Sequence, residues 1–256
     1  MIRSKFVIFH QPKTAGSYAN ACLPNNYVLS HYQNYNYCLN NNMLSEQTKL
    51  VCIVRSPLDY YISLITFWCL DPKWSESVRT KSINTLKKEY AEKKGNVIGH
   101  PSYWMSNGFT ERNLNNILKN LFCEEFILEH KEKLSERHHT YDNYVFLIML
   151  RLDIGFYTFA FLEQYSRKKI SEIKTTEECR NEIKYIHEHF ITLNQMSITK
   201  ELKDLCTKYN VQFNDKTERK MVSDRKPIND YNISNELLEK IKYKDRYMIE
   251  IFNLDL

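Results

Sequence analysis

The sequence is poor in the residues that divide a chain into separate segments. Its 256 residues include only five glycines and six prolines, and no stretch is rich enough in glycine, proline or serine to act as a linker between domains. No internal repeat is present either. We therefore expect a single domain over residues 1–256, long enough to bury a sizeable core, with residues 70–175 forming a helical region within it.

Long apolar runs are also missing. No uninterrupted apolar segment reaches the roughly 18 residues that a membrane-spanning helix needs. The first five residues lead directly into a predicted strand, without the pattern of a secretory signal. These absences favour a soluble, cytoplasmic protein with no membrane span.

The seven cysteines include no C-x-x-C pair, so we expect reduced thiols, several of them in the core.

The excess of positive charge is small. A formal net charge of +5 suits an anionic ligand, but the chain lacks the basic stripe with interleaved aromatic residues that is typical of nucleic-acid binding. We expect no nucleic-acid partner.

No pair of acidic residues follows a predicted strand to hold Mg²⁺, and the histidine pairs lack a third ligand at useful spacing. We also expect no metal site.

Short apolar runs predict buried parallel strands, because apolar residues without alternation are typical of strands that are covered on both faces. Three of these strands are predicted at Phe6–Phe9, Tyr27–Leu29 and Leu50–Val54, and a fourth lies within His189–Met196. Helices are predicted from about Ser17, over about Leu58–Cys69, and over 75–94, 110–122, 141–162, 198–209 (with Ser197 as its cap) and 234–252. Alternating strands and helices indicate an α/β fold with helices on the faces of a parallel sheet.

A polar loop separates the first predicted strand from the first helix. A strand that runs into a small-residue loop and then a helix is how α/β proteins hold phosphate, because backbone N–H groups and the helix N-terminus point at the ligand. Lys13 adds a full positive charge, and the hydroxyls of Thr14 and Ser17 add donors. The predicted phosphate-binding residues are therefore Lys13, Thr14, Ala15, Gly16, Ser17 and Tyr18.

The loop sequence HQPKTAGS, residues 10–17, resembles the "H-x-P-K-T-[AG]-[GS]-[ST]" loop of sulfotransferases that use 3′-phosphoadenosine-5′-phosphosulfate (PAPS). It is most similar to the carbohydrate (heparan-type) branch and its bacterial and viral relatives. In that family the loop binds the 5′-phosphosulfate. The resemblance implies a P-loop-like parallel sheet, with residues 70–175 on the acceptor side.

Two further segments resemble the same family. In the sequence VCIVRSPLDYYISLITFW, residues 51–68, Arg55 and Ser63 match the family's 3′-phosphate motif, although Tyr60 stands where arginine is usual. Arg55 would lie at the carboxyl edge of the sheet, and Ser63 in the second turn of the next helix could face the same crevice. Near the C-terminus, Arg225 and Lys226 match a basic loop that closes over the nucleotide in relatives.

The resemblance implies transfer of the sulfuryl group from PAPS to a hydroxyl acceptor, with a carbohydrate favoured, by in-line displacement and with no metal. Lys13 is the expected partner of the bridging oxygen. His31, which follows the second predicted strand, is the candidate general base, with a structural histidine or another base as alternatives. Since no anchor is present, a microbial or viral enzyme is favoured. The acceptor and the oligomeric state are not determined by the sequence.

Two other functional classes fit the strand–loop–helix element. A P-loop kinase or NTPase would carry a lysine directly after the last loop glycine and a strand ending in an aspartate for Mg²⁺. This chain has Ser17 after Gly16, and Arg55 where the aspartate would be. A non-catalytic nucleotide-binding protein on the same scaffold would bind PAP, the desulfated product, without turnover.

Overall fold

The computed structural model describes residues 4–30, 33–66, 114–128, 142–215 and 231–256. Within these ranges one sheet contains four strands in the order β2-β1-β3-β4, and every neighbouring pair is parallel. The strands are β1 (Phe6–Phe9), β2 (Val28–Leu29), β3 (Lys49–Val54) and β4 (Ile191–Asn194). All four lie within a residue or two of their predicted positions. The predicted α/β fold with a parallel sheet flanked by helices is therefore confirmed.

The helices that accompany the sheet are numbered here in chain order. They are α1 (Gly16–Cys22), α2 (Tyr35–Asn40), α3 (Pro57–Ile65), α4 (Leu114–Leu121), α5 (Asp142–Leu152), α6 (Phe156–Tyr165), α7 (Thr176–His189), α8 (Ile198–Lys208), α9 (Asn235–Lys244) and α10 (Arg246–Phe252). Single turns of 3₁₀-helix lie at Ile170–Glu172 and Gln195–Ser197.

The sheet is covered on both faces, which explains why its strands do not alternate between apolar and polar residues. In β1, Val7 and Phe9 face a large apolar cluster formed with α3, α4, α5, α6 and α7. Phe6 and Ile8 face a smaller cluster formed with α1 and α8. All four side chains are fully buried, as expected for a strand between two layers of helices.

The predicted helix over 141–162 is wrong as a single element. It is broken between α5 and α6, which turn by 105° relative to each other. The break occurs where Asp153 adopts a left-handed backbone, with φ of 51°, and its carboxylate accepts a hydrogen bond from the Tyr243 hydroxyl at 2.6 Å. Gly155 precedes α6, and a Cβ atom there would lie only 2.5 Å from the Tyr61 hydroxyl oxygen.

The predicted helix over 234–252 is also broken, at Asp245. This side chain is fully buried. Its carboxylate accepts hydrogen bonds from the backbone N–H and the hydroxyl of Thr158, and from the hydroxyl of Tyr61. Because Gly155 packs against the same carboxylate, the two helix breaks meet at one buried polar cluster.

Two helices were not expected from the sequence, namely α2 and α7. Helix α7 is capped by Thr175, the residue before its first turn, whose hydroxyl accepts from the Glu178 backbone N–H. Ser197 does precede α8 as predicted, but its hydroxyl donates to the Glu201 carboxylate rather than capping the helix. The predicted helix over 75–94, and most of the predicted loop over 214–232, lie outside the described residues.

Two smaller predictions concern apolar surfaces. The predicted helix over 110–122 corresponds to α4, whose apolar face is buried: Leu114, Ile117, Leu118 and Leu121. Five cysteines are buried free thiols, which agrees with the expectation of core cysteines: Cys22, Cys38, Cys52, Cys179 and Cys206. In the described ranges, no individual helix combines the length and apolar composition of a membrane span, although α5 and α6 pass that test when taken together as a bent pair.

Candidate functional site

The two motifs singled out in the sequence meet at the carboxyl edge of the sheet. Strands β1 and β3 are adjacent and parallel, so the residues that follow Phe9 and Val54 leave the sheet at the same edge. Arg55, the first residue after β3, donates from Nη1 to the backbone oxygen of Lys13 over 2.6 Å. Residues 42 positions apart in the chain are thus in direct contact.

The loop after β1 has an unusual backbone. Lys13 and Ala15 both adopt left-handed conformations, with φ of 65° and 68°. For a residue with a side chain this conformation costs on the order of 1–2 kcal/mol, and strained backbone of this kind is concentrated at functional sites. Left-handed residues next to right-handed ones turn successive N–H groups into a concavity that suits an anion. Ala15, which is left-handed and directly precedes the first residue of the right-handed helix α1, meets this condition.

Thr14 contributes to this loop through a hydrogen bond within it. The residue is fully buried, and its hydroxyl donates to the backbone oxygen of Gln11 over 2.9 Å. A hydroxyl has a single proton to donate, so in this arrangement the Thr14 side chain stabilises the loop, and its predicted donation to an anion stays a prediction. Ser17, by contrast, is exposed, and its hydroxyl lies at the protein surface.

Gly16 is required at the start of α1 because another side chain occupies the space where its Cβ would be. A Cβ atom added there would lie 1.9 Å from Cδ2 of His10. The histidine ring therefore packs against the backbone of the first helical turn. The N-cap of α1 is Ala15, which provides no side-chain hydrogen bond to the first N–H groups, and uncapped N–H groups of this kind attract anions.

Arg55 is held by a buried ion pair. Its Nε lies 2.5 Å from Oδ2 of Asp59, and both residues are only 3% exposed. The carboxylate that the sequence places in the first turn of α3 thus orients the guanidinium. Ser63 lies four residues after Asp59, which puts it one turn further along the same face of α3, and it is 5% exposed.

Two tyrosines of α6 fix the edge of the sheet at both motifs. The Tyr157 hydroxyl accepts from the Arg55 backbone N–H at 2.9 Å, and the Tyr165 hydroxyl donates to the Phe9 backbone oxygen at 3.0 Å. Burial raises the pKa of each tyrosine well above its ordinary value, so each hydroxyl keeps its proton. The sequence analysis did not select either residue. The signal that could have identified them is the high density of aromatic residues in this segment.

Gln11 is a further loop residue that the sequence analysis did not select. Its side chain is fully buried. Within the described residues neither its amide nitrogen nor its amide oxygen has a hydrogen-bond partner of ordinary geometry. In the same ranges the buried Tyr60 hydroxyl also has no bond of ordinary geometry, and it interacts with the Gln11 side chain, so two buried polar groups lie together here.

The remaining predicted site residues divide into two groups. Tyr18 lies in the first turn of α1, and its hydroxyl forms a hydrogen bond of 3.0 Å with the Thr199 hydroxyl of α8. His31, Arg225 and Lys226 lie outside the described residues, so the general base and the C-terminal basic loop stay predictions. In the part of the chain that is described, no group of three histidine, cysteine or acidic side chains is arranged to hold a metal ion.

Comparison of the chain with protein-family models, with curated proteins and with solved structures gave no match.

Proposed function

We propose that this chain is a PAPS-dependent sulfotransferase that transfers a sulfuryl group to a hydroxyl of an acceptor, with a carbohydrate favoured. The proposal begins with the resemblance of residues 10–17 and 51–68 to the family's two phosphate motifs. The contact between Arg55 and the backbone of Lys13 supports it most strongly. A 5′-phosphosulfate loop and a 3′-phosphate motif must meet around one nucleotide, and these two segments meet at the edge of a parallel sheet where ligands bind.

The chemistry requires little of the protein beyond positioning and charge. The acceptor oxygen attacks sulfur, the bond between sulfur and the bridging phosphate oxygen breaks, and the acceptor proton passes to a base. The products are a sulfate ester and PAP. In this proposal the Lys13 ammonium stabilises negative charge that develops on the bridging oxygen, the loop N–H groups hold the 5′-phosphate, and His31 accepts the proton.

The kinase or NTPase alternative is weaker on two observations. The residue directly after Gly16 is Ser17 rather than lysine, and β3 is followed by Arg55, which pairs with Asp59 in the interior. A Mg²⁺–nucleotide site uses a carboxylate at this edge of the sheet, whereas the residue that follows β3 here is an arginine whose guanidinium is paired with Asp59. The non-catalytic alternative shares the nucleotide site, and only a measurement of turnover separates it from the sulfotransferase.

The proposal is tested by thermal unfolding in the presence of PAP, ADP or ATP with Mg²⁺. A ligand at about 100 times its dissociation constant adds about 2.7 kcal/mol of stability, which raises the melting temperature of a chain of this size by roughly 5–10 °C. We expect PAP to stabilise the protein more than ADP does. Ser63→Ala should reduce the shift with PAP and leave the shift with ADP unchanged, since ADP has no 3′-phosphate.

Three results would contradict the proposal. Equal stabilisation by PAP and ADP would mean that no 3′-phosphate is recognised. Stabilisation by ATP with Mg²⁺ and not by PAP would favour the kinase. If PAP binds, incubation with PAPS and an acceptor library should release PAP, and binding without release would favour the non-catalytic alternative.

A further inference from the structure

Gln11 forms the corner at which the chain leaves β1 and enters the loop over residues 10–17, which we call the phosphate loop. Its backbone N–H donates to the Phe9 backbone oxygen at 3.1 Å. Its backbone oxygen accepts a hydrogen bond of 2.9 Å from the Thr14 hydroxyl. Lys13 lies within the turn that this second bond closes. The orientation of the Gln11 peptide therefore determines how the backbone around Lys13 and Thr14 is held.

The Gln11 side chain meets the Tyr60 hydroxyl in the interior. Both residues are fully buried, and the two side chains interact. In the described part of the chain neither group makes a hydrogen bond of ordinary geometry. A side-chain amide has two hydrogens and two lone pairs, whereas a hydroxyl has one hydrogen. One hydroxyl cannot satisfy the whole amide, so the pair keeps polar groups in the core at a cost in free energy.

Tyr60 is a rigid partner for this amide. The centre of its ring lies 4.5 Å from that of Tyr157 and 5.9 Å from that of Tyr61. Burial raises the pKa of the Tyr60 hydroxyl above its ordinary value, so the hydroxyl keeps its proton. Tyr60 directly follows Asp59, whose carboxylate binds the Arg55 guanidinium. Adjacent residues of α3 therefore contact Gln11 and Arg55.

The phosphate loop needs more than one anchor because its backbone is strained. Lys13 and Ala15 are left-handed, and residues in this conformation persist only where the surrounding structure over-determines them. Arg55 anchors the loop at the Lys13 backbone oxygen. The contact between Gln11 and Tyr60 anchors the start of the loop. The strained residues thus lie beside one anchor and follow the other.

Stability alone does not require a polar pair at this place. When both partners of a buried polar contact are replaced by apolar groups of the same shape, the change is nearly neutral or stabilising. A polar contact, however, has a direction that an apolar contact lacks, and buried polar networks fix one arrangement of the groups around them. The cost of burying Gln11 and Tyr60 therefore favours a role in fixing the loop.

We propose that Gln11 and Tyr60 are positioning residues that hold the phosphate loop in its anion-binding conformation without contacting the anion. Both side chains are fully buried, so they act through the Gln11 peptide and the Thr14 hydroxyl bound to it. The identity of the anion as a nucleotide phosphate rests on the proposed function. The hold on the loop does not depend on that function.

The test compares the full wild-type chain with the double variant Gln11→Met/Tyr60→Phe, which replaces both polar groups by apolar groups of similar shape. In urea unfolding the double variant should be at least as stable as the wild type. Without ligand, the backbone amides of residues 10–17 should nevertheless exchange with deuterium about fivefold faster, the factor expected for one lost hydrogen bond. The affinity for PAP should fall by about two- to fivefold, because it follows the fraction of loop in the binding conformation.

Tyr61→Phe is the matched control. It removes a buried hydroxyl from the next residue of α3, and that hydroxyl donates to Asp245 rather than interacting with the loop. The control should lower the stability of the protein, because Asp245 loses a hydrogen bond. It should leave the exchange of residues 10–17 and the affinity for PAP unchanged.

Three outcomes would overturn the inference: loop exchange in the double variant equals that of the wild type, loop exchange rises but the affinity for PAP does not change, or Tyr61→Phe releases the loop to the same extent. The proposed function can fail separately. If PAP does not bind the wild type, the nucleotide site is refuted, and the exchange measurement, which uses no ligand, decides alone whether the pair holds the loop.

Discussion

The buried carboxyl group of Asp245 should make the stability of this protein fall as the pH rises through the weakly acidic range. The side chain is fully buried where the two helix breaks meet. It accepts hydrogen bonds from the Thr158 N–H at 2.9 Å, the Thr158 hydroxyl at 2.6 Å and the Tyr61 hydroxyl at 2.8 Å. Burial raises the pKa of Asp245 to about 6, and these hydrogen bonds only partly oppose the effect.

The sign of the effect follows from comparing the folded and unfolded chains. At a pH below 3.8, the ordinary value for aspartate, the group is protonated in both states and has no effect on the free energy of unfolding. Between 3.8 and about 6 the unfolded chain loses its proton readily while the folded chain retains it, so stability decreases. Above this range the loss is complete. A shift of about two pKa units corresponds to a loss on the order of 3 kcal/mol.

The assay compares the wild-type protein with Asp245→Asn by urea unfolding between pH 4 and pH 7. At pH 4 the variant should be less stable by about 1 kcal/mol, because the Tyr61 hydroxyl loses an acceptor while the Thr158 bonds are retained. As the pH rises to 6.5, the difference should move in favour of the variant by about 3 kcal/mol. Other carboxyl groups are the same in both proteins, so they cancel in the difference. A difference that is constant with pH, or that moves against the variant, would refute this account of Asp245.

Two further predictions concern the phosphate loop. Gly16→Ala should destabilise the protein by about 1–3 kcal/mol in urea unfolding, because the added methyl group would overlap the His10 ring. Adding His10→Ala to the Gly16→Ala variant should restore most of that stability. If Gly16→Ala alone is as stable as the wild type, the two residues do not pack as described. Lys13→Ala should reduce turnover with PAPS more than affinity for PAP, since the lysine acts mainly on charge that develops as the bond breaks. Full turnover by this variant would exclude Lys13 from the proposed mechanism.

The sheet could be predicted because its strands carry their own signal. Buried strands of a parallel sheet are short apolar runs, and Phe6–Phe9 is bounded by polar residues that leave no choice of ends. The helices around the sheet were harder to place. The run from 141 to 162 is strongly apolar but is interrupted by Arg151, Asp153 and Gly155, and the sharp turn there depends on Asp153 meeting Tyr243 and on Gly155 meeting Asp245. Contacts between residues so distant in the chain leave no local pattern.

Some features of the candidate site could likewise be predicted from the sequence and others could not. Lys13, Arg55 and Ser63 could be selected from the sequence because each occupies a fixed place after a strand or in the helix that follows. The contact of the Thr14 hydroxyl with the Gln11 backbone oxygen was not expected from the sequence, which suggested only a ligand for this hydroxyl. Outside the site, helix α2 was not expected at all. It contains only six residues, and polar residues at this density favour a loop when they are considered without their tertiary neighbours.

The interaction of Arg55 with Lys13 makes the two phosphate motifs a single structural unit. The left-handed backbone at Lys13 and Ala15 costs free energy that the loop alone does not recover, and the guanidinium of Arg55 is a strong donor to the carbonyl oxygen between them. That guanidinium is in turn fixed by Asp59, whereas the Arg55 backbone is fixed by the Tyr157 hydroxyl. Arg55, which directly follows the neighbouring strand β3, therefore holds the loop in its strained conformation. An anion that binds the loop N–H groups would meet a backbone already arranged to receive it, and the same arginine would link occupation of the loop to the position of α3 and Ser63.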